Sequence, residues 1–313
     1  MQGYLYFCVK FYKSVFMKKH SFKEWLVAVR PWSFPASAMP VLVTLAYLHW
    51  GHGSVDWLNG LWALVNIVLF HASGNTWSDY YDYRRGVDAA DTFGVKTLTG
   101  GMFRPAEIYR LSVVLLAVAL LGGLGLLLLT GWPLLVIGAC GLLLSLAYPW
   151  LKYHALGDLD IFLTYAVLPT VGTSYVAVGY IDWHILWIAV PVGLITVAIL
   201  HINNTRDIST DTRVHIRTLA MLLGCRISLM LYRLEIVVPF LWLLGCVVGG
   251  VLPVWSVLVC VALFPAIGNV RSSLQYPGLG IQAIAGLDEL TAKLQLVFSV
   301  LLALSLFLAG WFS

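Results

Sequence analysis

His71-Ala-Ser-Gly-Asn75-Thr-Trp-Ser-Asp79-Tyr-Tyr-Asp82-Tyr-Arg84-Arg85-Gly86-Val-Asp88 closes an apolar stretch running approximately from residue 60 to residue 81. A stretch of that length, coiled as a helix, crosses about 30 Å of hydrocarbon. The string therefore puts amides and carboxylates where a membrane helix leaves the bilayer. At about 100° per residue, Asn75, Asp79 and Asp82 fall within about 60° of one another and form one acidic stripe roughly two turns long. Asp88 projects to the opposite side and joins the stripe only if the helix breaks, for which Gly86 is well placed.

A second string repeats this chemistry. His201-Ile-Asn203-Asn204-Thr-Arg206-Asp207-Ile-Ser-Thr-Asp211-Thr-Arg213-Val-His-Ile-Arg217-Thr218 ends another apolar stretch, over residues 183–203. Asn204, Asp207 and Asp211 again cluster on one helical face. Beyond this matched pattern no internal repeat is visible in the residues themselves.

The rest of the chain has the composition of a membrane protein. Of its 313 residues 60% are apolar and 11% charged, too little polar surface to cover a water-soluble globule. Nine stretches are long enough to span a bilayer: approximately 34–50, 60–81, 107–129, 133–151, 161–180, 183–203, 231–251, 253–268 and 294–311. With the N-terminus inside, all 19 Lys and Arg fall on one side, as retention of cations at the cytoplasmic face requires. The expected fold is thus an all-α integral membrane protein of about nine transmembrane helices with cap loops on the cytoplasmic side, where the long connections 83–106, 205–230 and 270–293 lie. Residues 25–313 read as one domain, preceded by a basic, interfacial leader over 1–24. The first sixteen residues are either an interfacial extension or sequence upstream of a start at Met17. The expected location is the cell's inner (cytoplasmic) membrane, with the active face toward the cytoplasm.

The net charge of +4 follows from this topology and from contact with anionic lipid, so nucleic acid is not an expected partner. No protein partner is indicated. Cys8, Cys140, Cys225, Cys246 and Cys260 lack metal-ligand spacing and read as packing residues.

Grouped carboxylates at a membrane helix end repel one another and call for a cation. Mg²⁺ takes oxygen ligands and bridges carboxylates to phosphate oxygens, which two facing acidic stripes around a diphosphate would satisfy. Single Asp residues also cap helices, and intramembrane carboxylates also mark the ion sites of transporters. A phosphatidyltransferase of the CDP-alcohol type would carry an Asp-Gly-x-x-Ala-Arg string, which is absent. Arg206 and Lys152 are the preferred cations for a diphosphate, with Arg84, Arg85 and Arg217 as further candidates. Tyr80, Tyr81, Tyr83, Tyr148 and Tyr153 lie at one depth, where ring faces stabilise cations but interfacial aromatics are also common. Asp158 reads as a helix cap or a catalytic group, and His71 and His201 as packing histidines. Arg30 is a candidate partner for an acceptor carboxylate.

These two strings resemble the Asp-rich motifs of the UbiA superfamily of membrane prenyltransferases. The resemblance covers about residues 25–220 and departs at Ser78, where the family commonly has Asn. It implies a UbiA-type bundle and transfer of a polyprenyl group from polyprenyl diphosphate to an aromatic acceptor. It also implies Mg²⁺ held by Asp79, Asp82, Asp207 and Asp211, with Asn75 and Asn204 assisting. Trp25-Leu-Val-Ala-Val-Arg30-Pro31, Tyr81-Asp82-Tyr83 and Asn203-Asn204-Thr-Arg206-Asp207 with Arg217-Thr218-Leu219-Ala220 are most similar to the 1,4-dihydroxy-2-naphthoate polyprenyltransferases of menaquinone biosynthesis. That branch implies demethylmenaquinone as product; hydroxybenzoate and homogentisate are the alternative acceptors.

Overall fold

A computed structural model describes residues 20–87, 96–214 and 216–312, with the side chain of Val214 excepted. Most of the leader, the first cysteine, Cys8, and Asp88 lie outside the described residues. Ten helices carry the architecture: α1 Phe22–Val29, α2 Pro35–His52, α3 Trp57–Arg84, α4 Pro105–Thr130, α5 Pro133–Lys152, α6 Gly157–Val178, α7 Trp183–Arg206, α8 Leu219–Val248, α9 Val254–Leu274 and α10 Leu287–Phe312. The chain is a multi-pass membrane protein. Seven of these helices are long and apolar enough to cross a bilayer, and an eighth span forms if α1 and α2, bent by 53° at their junction, count as one. The remaining expected span is α3, which is 28 residues long. Asn59, Asn66, His71, Asn75 and its terminal carboxylates dilute its apolarity.

Helix ends differ from the expected ones where backbone chemistry overrides hydropathy. The seventh stretch was expected to start at residue 231, yet α8 begins at Leu219, capped by Thr218, whose side chain accepts from the Met221 N–H. A break at Gly224, which sits at φ 72° and ψ 157° inside the helix, separates its first turn from the apolar run. The connection after α7 is correspondingly shorter than expected. The eighth stretch, expected as the shortest, extends to Leu274 and opens as a 3₁₀ turn over Val254–Ala262. α1 is fixed at its start by a capping box between Ser21 and Glu24, and it runs across the boundary expected between residues 24 and 25.

α2, α7, α8 and α10 enclose the main core, where Leu45, Leu48, Ile188, Ile195, Tyr232, Ile236, Phe298 and Leu302 are buried. α4 and α5 lie at the rim and present Leu and Val side chains outward, which bilayer lipid covers. α6 approaches α7 very closely at Gly193, where an added Cβ would lie 2.6 Å from the Ala166 Cβ. Only a glycine admits that contact. The loop before α4 is ordered over Thr97–Phe103: Leu98 and Phe103 join Ala28 and Ile108 in a small core that holds α1 against the end of α3.

Candidate functional site

The acidic end of α3 is built by helical register. Asn75, Asp79 and Asp82 occupy its last turns, and the helix stops after Arg84, before Gly86 at φ 71°. Both carboxylates are buried. Asp79 Oδ1 lies 2.5 Å from Arg30 Nη2, and its Oδ2 accepts from the Thr97 hydroxyl at 3.3 Å. Asp82 Oδ2 accepts from Lys152 Nζ at 3.3 Å, and its Oδ1 accepts from the Tyr153 hydroxyl. Burial, and then the charge of Asp82, hold the Tyr153 phenol well above its ordinary value, so it remains an O–H donor.

The second stripe is not one continuous helix face. α7 ends at Arg206, Asp207 forms its C-cap, and a separate turn over Ile208–Asp211 carries Asp211. The break turns Asp211 back toward the first stripe. Burial pushes its carboxyl up to about 6; Lys152 and Arg206 oppose the shift while Asp207 and Asp82 add to it. The Asp211 carboxyl is thus near enough to Asp82 and Lys152 to sense their charges. Asp79, Asp82 and Asp211 are buried and Asp207 is part-buried, so four carboxylates gather at these two helix ends. An all-oxygen, carboxylate donor set of this kind fits a divalent cation of the Mg²⁺ type.

Other expected site residues take different places. Arg206 is buried and committed to protein partners: Asp207 Oδ1 at 2.8 Å, Asp288 Oδ2 at 2.7 Å and the Asn203 side chain. It orients Asp207 and ties the end of α7 to the start of α10. Asn75 donates to Val29 O and Ser33 Oγ, each at 3.0 Å, and so anchors the turn that carries Arg30. Asn204 is buried, one turn before Asp207. Tyr148 is half-buried on α5, one turn before Lys152. The side chain of Arg217 is exposed, and its backbone N–H donates to Tyr153 O at 3.2 Å. Tyr80 and Tyr81 do not join the cluster: they pack with Trp77 and Tyr109 beside α4. His71 is a packing histidine, held by Ser33 and Ser37.

Two relationships were not legible in the residues. Arg30 was expected to meet an acceptor, but it pairs with Asp79. Its backbone adopts φ 57° at the end of α1, where Pro31 cannot continue the helix, and that left-handed turn brings the guanidinium to α3. Asp158 was expected as a possible cap, yet the helix start at Gly157 has no side-chain cap, and Asp158 Oδ2 lies 2.5 Å from His201 Nδ1. Glu235 also comes to that pair, and its signal in the residues is an acid within the apolar run of α8.

Comparison with known proteins agrees with this architecture. A UbiA prenyltransferase domain-containing protein 1 from Xenopus tropicalis is 37% identical over 243 residues, covering 74% of this chain and 70% of the relative. The 1,4-dihydroxy-2-naphthoate octaprenyltransferase of Mycobacterium leprae is 31% identical over 221 residues, covering 68% of this chain and 74% of the relative. Among solved structures, the apo UbiA homolog from Aeropyrum pernix superposes with a TM-score of 0.62 at 15% identity, over 88% of this chain and 96% of that one. The UbiA homolog from Archaeoglobus fulgidus bound to GPP and Mg²⁺ superposes with a TM-score of 0.54 at 12% identity, over 89% and 99%. The model of the UbiA prenyltransferase family matches residues 37–276, a stretch that contains both acidic ends and the helices between them, and the chain belongs to that family.

Proposed function

We propose that this UbiA-type prenyltransferase moves a polyprenyl group from its diphosphate to 1,4-dihydroxy-2-naphthoate at the cytoplasmic face of the membrane, giving the hydroquinone demethylmenaquinol, which a separate two-electron oxidation converts to demethylmenaquinone. The observation that carries the reading is geometric: Lys152 Nζ and the Tyr153 hydroxyl both reach Asp82 at the end of α3, and Arg217, just past the second acidic string, donates its backbone N–H to Tyr153 O, so one segment joins two helix ends far apart in sequence. The name of the Mycobacterium leprae relative supports the acceptor, and the GPP and Mg²⁺ of the Archaeoglobus fulgidus protein support the donor and the metal.

Asp79, Asp82, Asp207 and Asp211 would hold Mg²⁺, which when bound neutralises charge on the departing diphosphate. Lys152 serves as a point charge for the same oxygens. Arg30 and Arg206 keep Asp79 and Asp207 in place. Tyr153, fixed by its hydroxyl on Asp82, and Tyr148, one turn before Lys152, would offer ring faces to the cation that forms as the allylic carbon–oxygen bond ionises. The acceptor ring attacks that carbon, and its carboxyl group leaves as carbon dioxide. The isoprenoid tail, itself as apolar as lipid, would extend into the hydrocarbon beside the helices.

The test supplies membranes containing the protein with a radiolabelled polyprenyl diphosphate and, in turn, dihydroxynaphthoate, hydroxybenzoate and homogentisate. The expected product is demethylmenaquinol, recovered as demethylmenaquinone after oxidation in air. Label appearing only on one of the other rings would replace the acceptor and leave prenyl transfer standing.

A further inference from the structure

Three ionisable side chains from three helices meet inside the bundle, apart from the carboxylates assigned to the diphosphate. Asp158 lies in the first turn of α6, His201 on α7 and Glu235 within α8. Their exposures are 7%, 0% and 6%. One ligand atom from each lies within 4.8 Å of the other two. His201 Nδ1 faces Asp158 Oδ2 at 2.5 Å, and its Nε2 faces Ser228 Oγ at 2.8 Å. Asp158 Oδ1 and Glu235 Oε2 are buried without any hydrogen-bond partner among the described residues.

Two carboxylates in such a place carry a large desolvation penalty unless their charge is cancelled and their lone pairs are engaged. Among the described residues His201 is the only basic side chain in ion-pair range of either. Protons could cancel the charge, yet they leave both orphaned oxygens without a partner. A dication cancels two carboxylates beside a neutral imidazole and can engage both oxygens. One nitrogen and two oxygens suit Zn²⁺ or Mn²⁺ better than Mg²⁺, which prefers an all-oxygen, partly hydrated shell.

We infer that Asp158, His201 and Glu235 form a second, buried binding site for a divalent cation of the Zn²⁺ or Mn²⁺ class, separate from the diphosphate site. The ion ties three helices together: α6 where it follows the Lys152–Tyr153 segment, α7 less than two turns before Asp207, and α8. It thereby braces the groups that surround the diphosphate without touching substrate.

The test is elemental analysis of the full chain, purified in detergent, loaded separately with Zn²⁺ or Mn²⁺ and washed free of loose metal. About one equivalent of one of these ions is expected to remain in the unaltered protein and in Asp207→Ala, which lacks a diphosphate-site carboxylate. Glu235→Gln and His201→Gln should retain at least tenfold less. Added Zn²⁺ or Mn²⁺ should raise the melting temperature of the unaltered protein and leave that of Glu235→Gln unchanged. Retention below a tenth of an equivalent of both metals by the unaltered protein overturns the inference, and that arm needs no variant to fold. Equal retention by folded Glu235→Gln overturns it as well. Because Asp207→Ala tests the diphosphate site and Glu235→Gln this one, the two readings fail separately.

Discussion

Arg30 Nη2 lies 2.5 Å from Asp79 Oδ1, joining the turn after the first helix to the acidic end of α3 across 49 residues of sequence. The pair is half-sheltered: the Asp79 side chain is 5% exposed and the Arg30 side chain 29%. In that setting the guanidinium directs the Asp79 carboxylate, and it anchors a segment that leads into the bilayer.

Removing it should loosen both. Arg30→Ala is expected to raise the KM for prenyl diphosphate by roughly tenfold, and Arg30→Lys, which keeps the charge, to recover part of that loss. Steady-state kinetics with limited proteolysis around residues 20–35 reads the two effects; unchanged KM in Arg30→Ala would contradict this role.

Lys152 Nζ lies 3.3 Å from Asp82 Oδ2. Its replacement by Ala leaves the buried Asp82 carboxylate without that cation and removes a donor from the departing diphosphate. A loss of about 10²–10³ in kcat is expected, the range for deleting one group aimed at developing charge. Lys152→Ala retaining more than half of the activity would show that the ammonium has no part in transfer.

Asp79→Ala and Asp207→Ala should each reduce prenyl transfer by roughly a thousandfold or more, because each takes an oxygen ligand from the cation. Activity measured across a Mg²⁺ titration is the readout. Wild-type turnover in both variants at low Mg²⁺ would remove the metal assignment.

Gly193→Ala places a methyl group against Ala166 and Phe162, at separations of 2.6 and 2.8 Å. Overpacking of this kind costs about 1–3 kcal/mol. The melting temperature in detergent should fall, and an unchanged value would mean that α6 and α7 separate freely at this point.

At the other end of the bundle Asp182 accepts from His184 N at 2.9 Å and is paired with His52 Nε2 at 3.0 Å and His184 Nδ1 at 2.8 Å. Burial alone would raise its carboxyl, but these hydrogen bonds outweigh it and hold the group below the ordinary value. The ionised form thus favours folding above about pH 4, and that contribution is lost as pH falls through the lowered folded value. Asp182→Asn should lower the melting temperature at pH 7, with a difference from the unaltered protein that shrinks below about pH 4. A difference that does not change with pH would refute the pairing.

Much of the architecture was readable because hydropathy acts over whole helices. Each of the nine expected stretches coincides with a helix, and both acidic strings fall at helix ends. Limits were misjudged at α8 because hydropathy does not register a Thr218 cap or a kink at Gly224. Asn75, Asp79 and Asp82 could be placed on one face because they share an uninterrupted helix. Asn204, Asp207 and Asp211 could not, since their helix stops at Arg206.

The amino-acid order by itself determined that this chain belongs in a bilayer and that acids gather at two helix ends, because segment polarity and helical periodicity are local properties. Only the tertiary structure decided which charges meet. Arg30 goes to Asp79, Lys152 to Asp82, Arg206 to Asp288, and Asp158, His201 and Glu235 come together, because such pairings depend on how separate helices pack and on the cost of leaving a buried charge without a partner.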